Sequence, residues 1–284
     1  MLKSIKRTIE FIYFLFSLIK NKNFKKNIRK NYSGTLAVLA NGPSLKEVLP
    51  NISTKSAFKD VDFIVLNLFA FENIFFEIKP KHYCLADPMF FQETHRIEGV
   101  LKLYKILNEN VNWNMNIYIP KHYLAKFKSF SKLKNKYISI FCFNNTHYHG
   151  FEIFRHYFYK NNLAIPPIQN VANLAIYLGI NLGYSKLNLF GVDHTFFDSL
   201  CVNDKNEVCI RETHFYSDSK AILKPLRRND NDEVFKMSDY IAAIQKMFKS
   251  HDLLNEYAKY KNVEIINYTK HSLIDSYKRI VVIK

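Results

Sequence analysis

The stretch LAVLANGPSLKEVLP, residues 36–50, sets the fold class. An apolar run ends at Asn41-Gly42-Pro43-Ser44, and a helical pattern follows directly. A buried strand, a turn that frees backbone N–H groups, and a helix make the opening unit of a βαβ series. In open α/β sheets that turn lies at the carboxyl edge, where ligands bind.

The same grammar recurs along the chain. Apolar runs at 35–40, 62–67, 82–87, 137–143, 186–192 and 263–268 show little polar alternation, which suits strands buried on both faces. Within 168–183, Val171, Leu174, Ala175, Leu178 and Leu182 trace one helical stripe, and Gly183 is placed to cap it. Residues 237–260 read as another helix. The rhythm breaks at 195–236, a polar, charged stretch without a strong period, which reads as a lid. The expectation is a single α/β domain over 32–284, Rossmann-like with a mostly parallel sheet and an inserted lid region.

Composition bounds the partners. The 284 residues are 48% hydrophobic and 15% aromatic, enough for a full core. The formal charge is +16. Residues 1–30 carry nine Lys and Arg against Glu10 alone, which is half of that excess. Between the basic groups lies FIYFLFSLI, residues 11–19, too short to cross a bilayer, which needs about 20 apolar residues. No small-residue cleavage site follows it, so a secretory signal is not expected. Ile5, Ile9, Ile12, Phe16 and Ile19 recur at helical spacing. Residues 1–31 therefore read as a basic amphipathic segment at an anionic membrane surface, or as a helix docked on the protein's own core. An anionic membrane, not nucleic acid, is the expected polyanion, and a homo-oligomer is left open. Cys84, Cys142, Cys201 and Cys209 are scattered without a C-x-x-C pair, which fits reduced thiols in a cytoplasmic protein.

Candidate site residues gather at the predicted strand ends: Asn41, Gly42, Pro43 and Ser44; Asn67; Asp87; and Gly191, Asp193 and His194. Neither G-x-x-x-x-G-K nor G-x-G-x-x-G is present, which disfavours a Walker site and a dinucleotide. A first turn of backbone amides still suits phosphate. The lid adds RETHFYSD, residues 211–218, with His214, Tyr216 and Asp218 near Lys220, Lys224, Arg227 and Arg228. A histidine near neutral pKa serves as a general base, and the cations and Tyr216 suit a leaving phosphate. The D-x-D at 230–232 lies in a charged loop, not at a strand end, and is set aside.

VLANGPSLKEV (38–48) resembles the N-terminal motif of the small bacterial CMP-sialic-acid sialyltransferases. VLNLFAFEN (65–73), CLADPMFF (84–91) and LGYSKLNLFGVDHTFF (182–197) continue the likeness in order. The family usually has Asn-Pro where this chain has Asp87-Pro88. Its lid holds a His-Tyr-x-x-His element, matched here by His214-Phe215-Tyr216-Ser217-Asp218. GVDH…THFYSD and INYTKHSLIDSY also look like a broader group, which holds flagellin-modifying glycosyltransferase domains and hydroxymethylpterin diphosphokinases.

The resemblance implies a sialyltransferase-like variant of the GT-A fold and metal-independent, inverting transfer from a CMP-sugar to a glycan acceptor, with no separate cofactor. It puts Asn41, Gly42, Ser44 and Asn67 near the nucleotide and a lid histidine in the base role, with His194 the rival to His214. The acceptor is an oligosaccharide or lipid-linked glycan, reached from the cytoplasmic face of the inner membrane. Two alternatives stand beside it. One is a pterin-type pyrophosphokinase using ATP and Mg²⁺, with Asp87 and Asp193 as a carboxylate pair; the other is a non-catalytic nucleotide-binding assembly protein.

Overall fold

A computed structural model describes residues 2–20, 28, 32–52, 58–94, 96–212, 222–228 and 233–280. The strands in chain order are β1 (Thr35–Leu39), β2 (Val61–Leu66), β3 (His82–Cys84), β4 (Met115–Pro120), β5 (Ile138–Phe143), β6 (Lys186–Phe190), β7 (Leu200–Val202), β8 (Val208–Glu212), β9 (Ile222–Pro225), β10 (Glu264–Asn267) and β11 (Lys278–Arg279). The helices are α1 (Leu2–Lys20), α2 (Leu45–Ile52), α3 (Ile74–Ile78), α4 (Ile97–Glu109), α5 (Leu124–Ser131), α6 (Glu152–Lys160), α7 (Val171–Leu182) and α8 (Met237–Tyr260).

Eight strands form one sheet in the order β11-β10-β6-β1-β2-β3-β4-β5, and every pairing in it is parallel. The expected Rossmann-like α/β architecture is present. Successive residues of a strand point to opposite faces. In β1, Leu36 and Val38 enter one buried cluster with α7 and α8, while Ala37 and Leu39 enter the other. Two buried faces explain why the strand reads as an unbroken apolar run.

The α7 stripe forms the expected helix. Asn170 caps its start by accepting from the Asn173 N–H at 2.9 Å. Gly183 ends it at φ +106°, where a Cβ would lie 2.7 Å from the Tyr32 carbonyl oxygen.

Three features differ from the sequence expectation. First, β4 joins the sheet but carries Asn116 at its second position and Pro120 at its end, which hid its strand character. Second, the described part of the lid region is not irregular: β7, β8 and β9 form an antiparallel sheet. Its strands are short and largely half-exposed, so no clean period marks them. This sheet also sets Cys201 opposite Cys209, both as free thiols. Third, α1 is docked on the body, one of its two expected readings, but not through the expected stripe. Phe14 and Leu18 are buried in the same cluster as the sheet, and Phe11 stacks on Phe154 at 5.5 Å. The stripe Ile5, Ile9, Ile12, Phe16 and Ile19 faces outward instead. Among the described residues no helix is long and apolar enough to cross a membrane.

Candidate functional site

β1 is the topological switch point. From it the chain proceeds outward through β2 to β5 on one side, then returns to place β6 and β10 on the other. Residues leaving β1 and β6 therefore diverge from neighbouring strands, which opens a crevice at the carboxyl edge. The stretch at 41–44 lies there.

The two turns are fastened together. Gly42 N–H donates to the Gly191 carbonyl at 2.9 Å. The Ser44 amide and hydroxyl both donate to the Asp193 carboxylate, at 3.2 and 2.9 Å. A Cβ on Gly42 would fall 1.9 Å from Asp193 Oδ2 and 2.4 Å from the Gly191 carbonyl oxygen. The glycine is required here by protein against protein. Ser44, expected to face a nucleotide, spends both donors on Asp193.

Two cavities line this edge. One of about 530 Å³ is bounded by Asn41, Gly42, Pro43, Gly191, Asp193 and His194, and by Tyr240 of α8 and Ile210 of β8. A second of about 390 Å³ is bounded by Asn67, Asp87, Asn145, His147 and Gln169. Both touch Asn170 and Val171, so they meet at the N-terminus of α7. The fold thus distributes the strand-end candidates over two adjoining chambers.

Asn67 closes β2 in the left-handed region at φ 51°. Asparagine adopts that conformation more readily than most residues. Tyr83 braces it by donating its hydroxyl to the Asn67 carbonyl. The Asn67 side-chain Oδ1 is buried and has no hydrogen-bond partner among the described residues. A ligand N–H or O–H in the smaller cavity would satisfy it; unmet, it costs about 1–3 kcal/mol. Asp87 caps the short turn at 88–90 by accepting from the Met89 N–H at 3.0 Å. Asp87 and Asp193 therefore stand in different cavities, each already holding a backbone amide. Among the described residues no group of three or more His, Cys, Asp or Glu is arranged to hold a metal ion.

His194 lies four residues past the end of β6 and is also left-handed, at φ 56°. Its Nε2 lies 3.1 Å from Asn170 Nδ2 and 3.0 Å from His251 Nε2. Asn170 Oδ1 is committed to the α7 cap, so its amide NH₂ faces His194, and Nε2 must accept. His251 then donates from its Nε2–H and accepts at Nδ1 from the Tyr277 hydroxyl, 3.0 Å away. This fixes the His194 proton on Nδ1, which has no hydrogen-bond partner among the described residues. Burial holds the His194 pKa down to about 4. Burial first, and then the neighbouring His194, put that of His251 well below the usual histidine range. Both rings are neutral at pH 7. His194 offers the cavity an N–H donor, and the lone pair that a general base needs is already engaged. Burial, and then His149, also lower His147 in the smaller cavity.

His214 and Tyr216 lie outside the described residues, as do Asp218 and Lys220. The strands on either side of them are paired, Glu212 opposite Ile222. Sequence reasoning missed Asn170, His147, His251 and Tyr277. For Asn170 a signal existed: an asparagine directly before a helical stripe is a cap. For His251 and Tyr277 there was none, since only the fold brings them to His194.

The fold and site define a parallel α/β protein with a two-chamber crevice at its switch point. No protein-family model matches the chain, and no curated protein matches it.

Proposed function

We propose that this protein is a glycosyltransferase that moves an acidic sugar, sialic acid or a related nonulosonate, from a CMP-sugar to a glycan acceptor with inversion. The observation that carries the reading is the pair of chambers meeting at Asn170. A two-substrate transfer needs two adjoining pockets that share the reacting centre. The larger chamber, at the turns after β1 and β6, takes the nucleotide. The smaller takes the acceptor, which moves Asn67 from the nucleotide side that the resemblance implies to the acceptor side. The positive end of the α7 dipole at their junction favours the donor phosphate.

In this reading His214 takes the acceptor hydroxyl proton. The acceptor oxygen bonds to the anomeric carbon as the bond to the phosphate oxygen breaks, and CMP leaves as the anion. The base would contribute about 10²–10⁴ in rate. His194 donates its Nδ1–H to the departing phosphate, and Tyr216 is assigned the same task. The neutral ring supplies a hydrogen bond without needing protonation.

Thermal-shift measurements against CMP, UDP, GDP and ATP with Mg²⁺ test this reading. CMP at 100 times its Kd should add about 2.7 kcal/mol of stability. CMP-sugar turnover should persist in EDTA. Stabilisation by ATP with Mg²⁺ and not by CMP would replace transfer of a sugar with transfer of pyrophosphate.

A further inference from the structure

The outer face of α1 is apolar and uncovered: Tyr13 is 72% exposed, Phe16 64% and Ile19 61%. A second element continues it. On α6, Ile153 is 83% exposed and Tyr157 56%, beside Phe154, whose ring stacks on Phe11 of α1. Arg7 of α1 also pairs with Glu152 of α6 at 3.0 Å. The two helices are thus adjacent, and each carries exposed apolar residues. Single exposed apolar residues are ordinary, but a continuous patch across two elements marks an interaction surface.

Charge identifies the occupant. Lys6 and Lys20 are exposed near the two ends of the α1 stripe. The sequence directly after α1 adds Lys22, Lys25, Lys26, Arg29 and Lys30. On α6, Lys160 lies over the Tyr157 ring, 5.8 Å from its centroid. An apolar stripe with aromatic residues between cations matches a helix lying in an anionic lipid interface. A second copy of the chain would bring the same cations face to face, and on the two helices themselves the only carboxylates are Glu10 and Glu152.

We propose that the outer face of α1, together with Ile153 and Tyr157 of α6, forms one surface that docks on an anionic lipid bilayer. The inner side of α1, opposite this surface, packs near the smaller cavity. Tyr148, next in the chain to the cavity residue His147, packs its ring on Phe14 at 5.0 Å. The docking surface stands on exposure and charge alone. Only its consequence for a lipid-linked acceptor, which would reach the Asn67 cavity from the bilayer side, rests on the transferase reading.

The test is co-sedimentation of the full chain with phosphatidylcholine vesicles containing about 30% phosphatidylglycerol, against phosphatidylcholine alone. The wild type should bind the charged vesicles, and binding should weaken without vanishing at about 1 M salt, because apolar insertion is not screened. Ile153→Asp with Tyr157→Asp should lower partitioning by about tenfold or more, and so should Ile9→Asp with Phe16→Asp. Leu101→Asp, at an exposed position of α4, should bind as wild type. All these positions are exposed, so thermal melts should match wild type and separate docking from folding. Binding unaffected by the α6 pair would remove α6 from the surface. Failure of the wild type to bind charged vesicles would overturn the proposal. So would a dimer that the α1 and α6 variants convert to monomer while vesicle binding stays unchanged. None of these readouts involves sugar transfer.

Discussion

His194 and His251 meet Nε2 to Nε2 at 3.0 Å, and both rings are neutral. The cap on α7 decides which ring donates, because Asn170 can turn only its NH₂ toward His194. The expected outcome is a His194 proton on Nδ1 throughout about pH 5.5–8, read from imidazole ¹⁵N shifts. Asn170→Ala should release Nε2, mix the tautomers and cost about 1 kcal/mol as a lost cap. A single unchanged tautomer in the folded variant would show that the cap does not set it.

The fastening of Ser44 to Asp193 makes a second expectation. Asp193→Ala leaves two Ser44 donors without an acceptor and should lower stability by about 1–3 kcal/mol. Gly42→Ala should destabilise too, and Asp193→Ala should not restore it. The Gly191 carbonyl oxygen would still lie 2.4 Å from the new methyl group. Urea unfolding of the two single variants and the double variant checks this; a fully rescued double variant would contradict it.

Acid should destabilise the protein through histidines it keeps neutral. His82 sits buried between the Tyr118 and Tyr184 hydroxyls, and burial lowers its pKa to about 4. His194 and His251 are lowered as well. Unfolded histidine titrates near 6.5, so below that pH the unfolded chain binds more protons. Stability from these groups is complete above about pH 6.5 and is lost as pH falls toward about 4. Each contributes up to about 1.4 kcal/mol per pH unit in that window. His82→Gln should remove about one proton from the measured slope. An unchanged slope would mean that His82 is not neutral in the fold.

The two faces of α1 should respond differently to truncation. Phe14→Ala opens a cavity against Tyr148 and Phe158 and should cost about 3–5 kcal/mol. Phe16→Ala, on the exposed face, should change stability by no more than about 0.5 kcal/mol. Denaturant midpoints of the pair decide it, and equal losses would place both residues in the core.

The sheet was legible in the sequence where both faces of a strand are buried, because unbroken apolar runs then have one reading. It was illegible at β4, where Asn116 interrupts the run and donates to the Tyr32 hydroxyl at 2.7 Å. For α1 the helical period was readable, and the side that docks on the body was not. The helix is apolar on both sides, and only the aromatic partners Tyr148, Phe154 and Phe158 single out Phe11, Phe14 and Leu18 as the docked side. At the site, strand-end positions were readable for Asn67, Asp193 and His194, since sheet topology alone carries them to one edge. Which of their atoms remain free for a ligand was not readable. Ser44 turns inward to Asp193, a partner 149 residues away that no local pattern announces, and Gly42 turns to Gly191.

The pairing of β1 with β6 also sets an order of events on the ribosome. At about 5–20 residues per second, β1 emerges roughly 8–30 s before β6 exists to pair with it. During that interval the nascent chain holds a central, fully apolar strand with one open edge, the kind of template on which chains associate. The crevice is therefore among the last parts to assemble. Yield of native protein should depend on how fast the chain is made and on whether a chaperone shields residues 35–39 until 186–190 arrive.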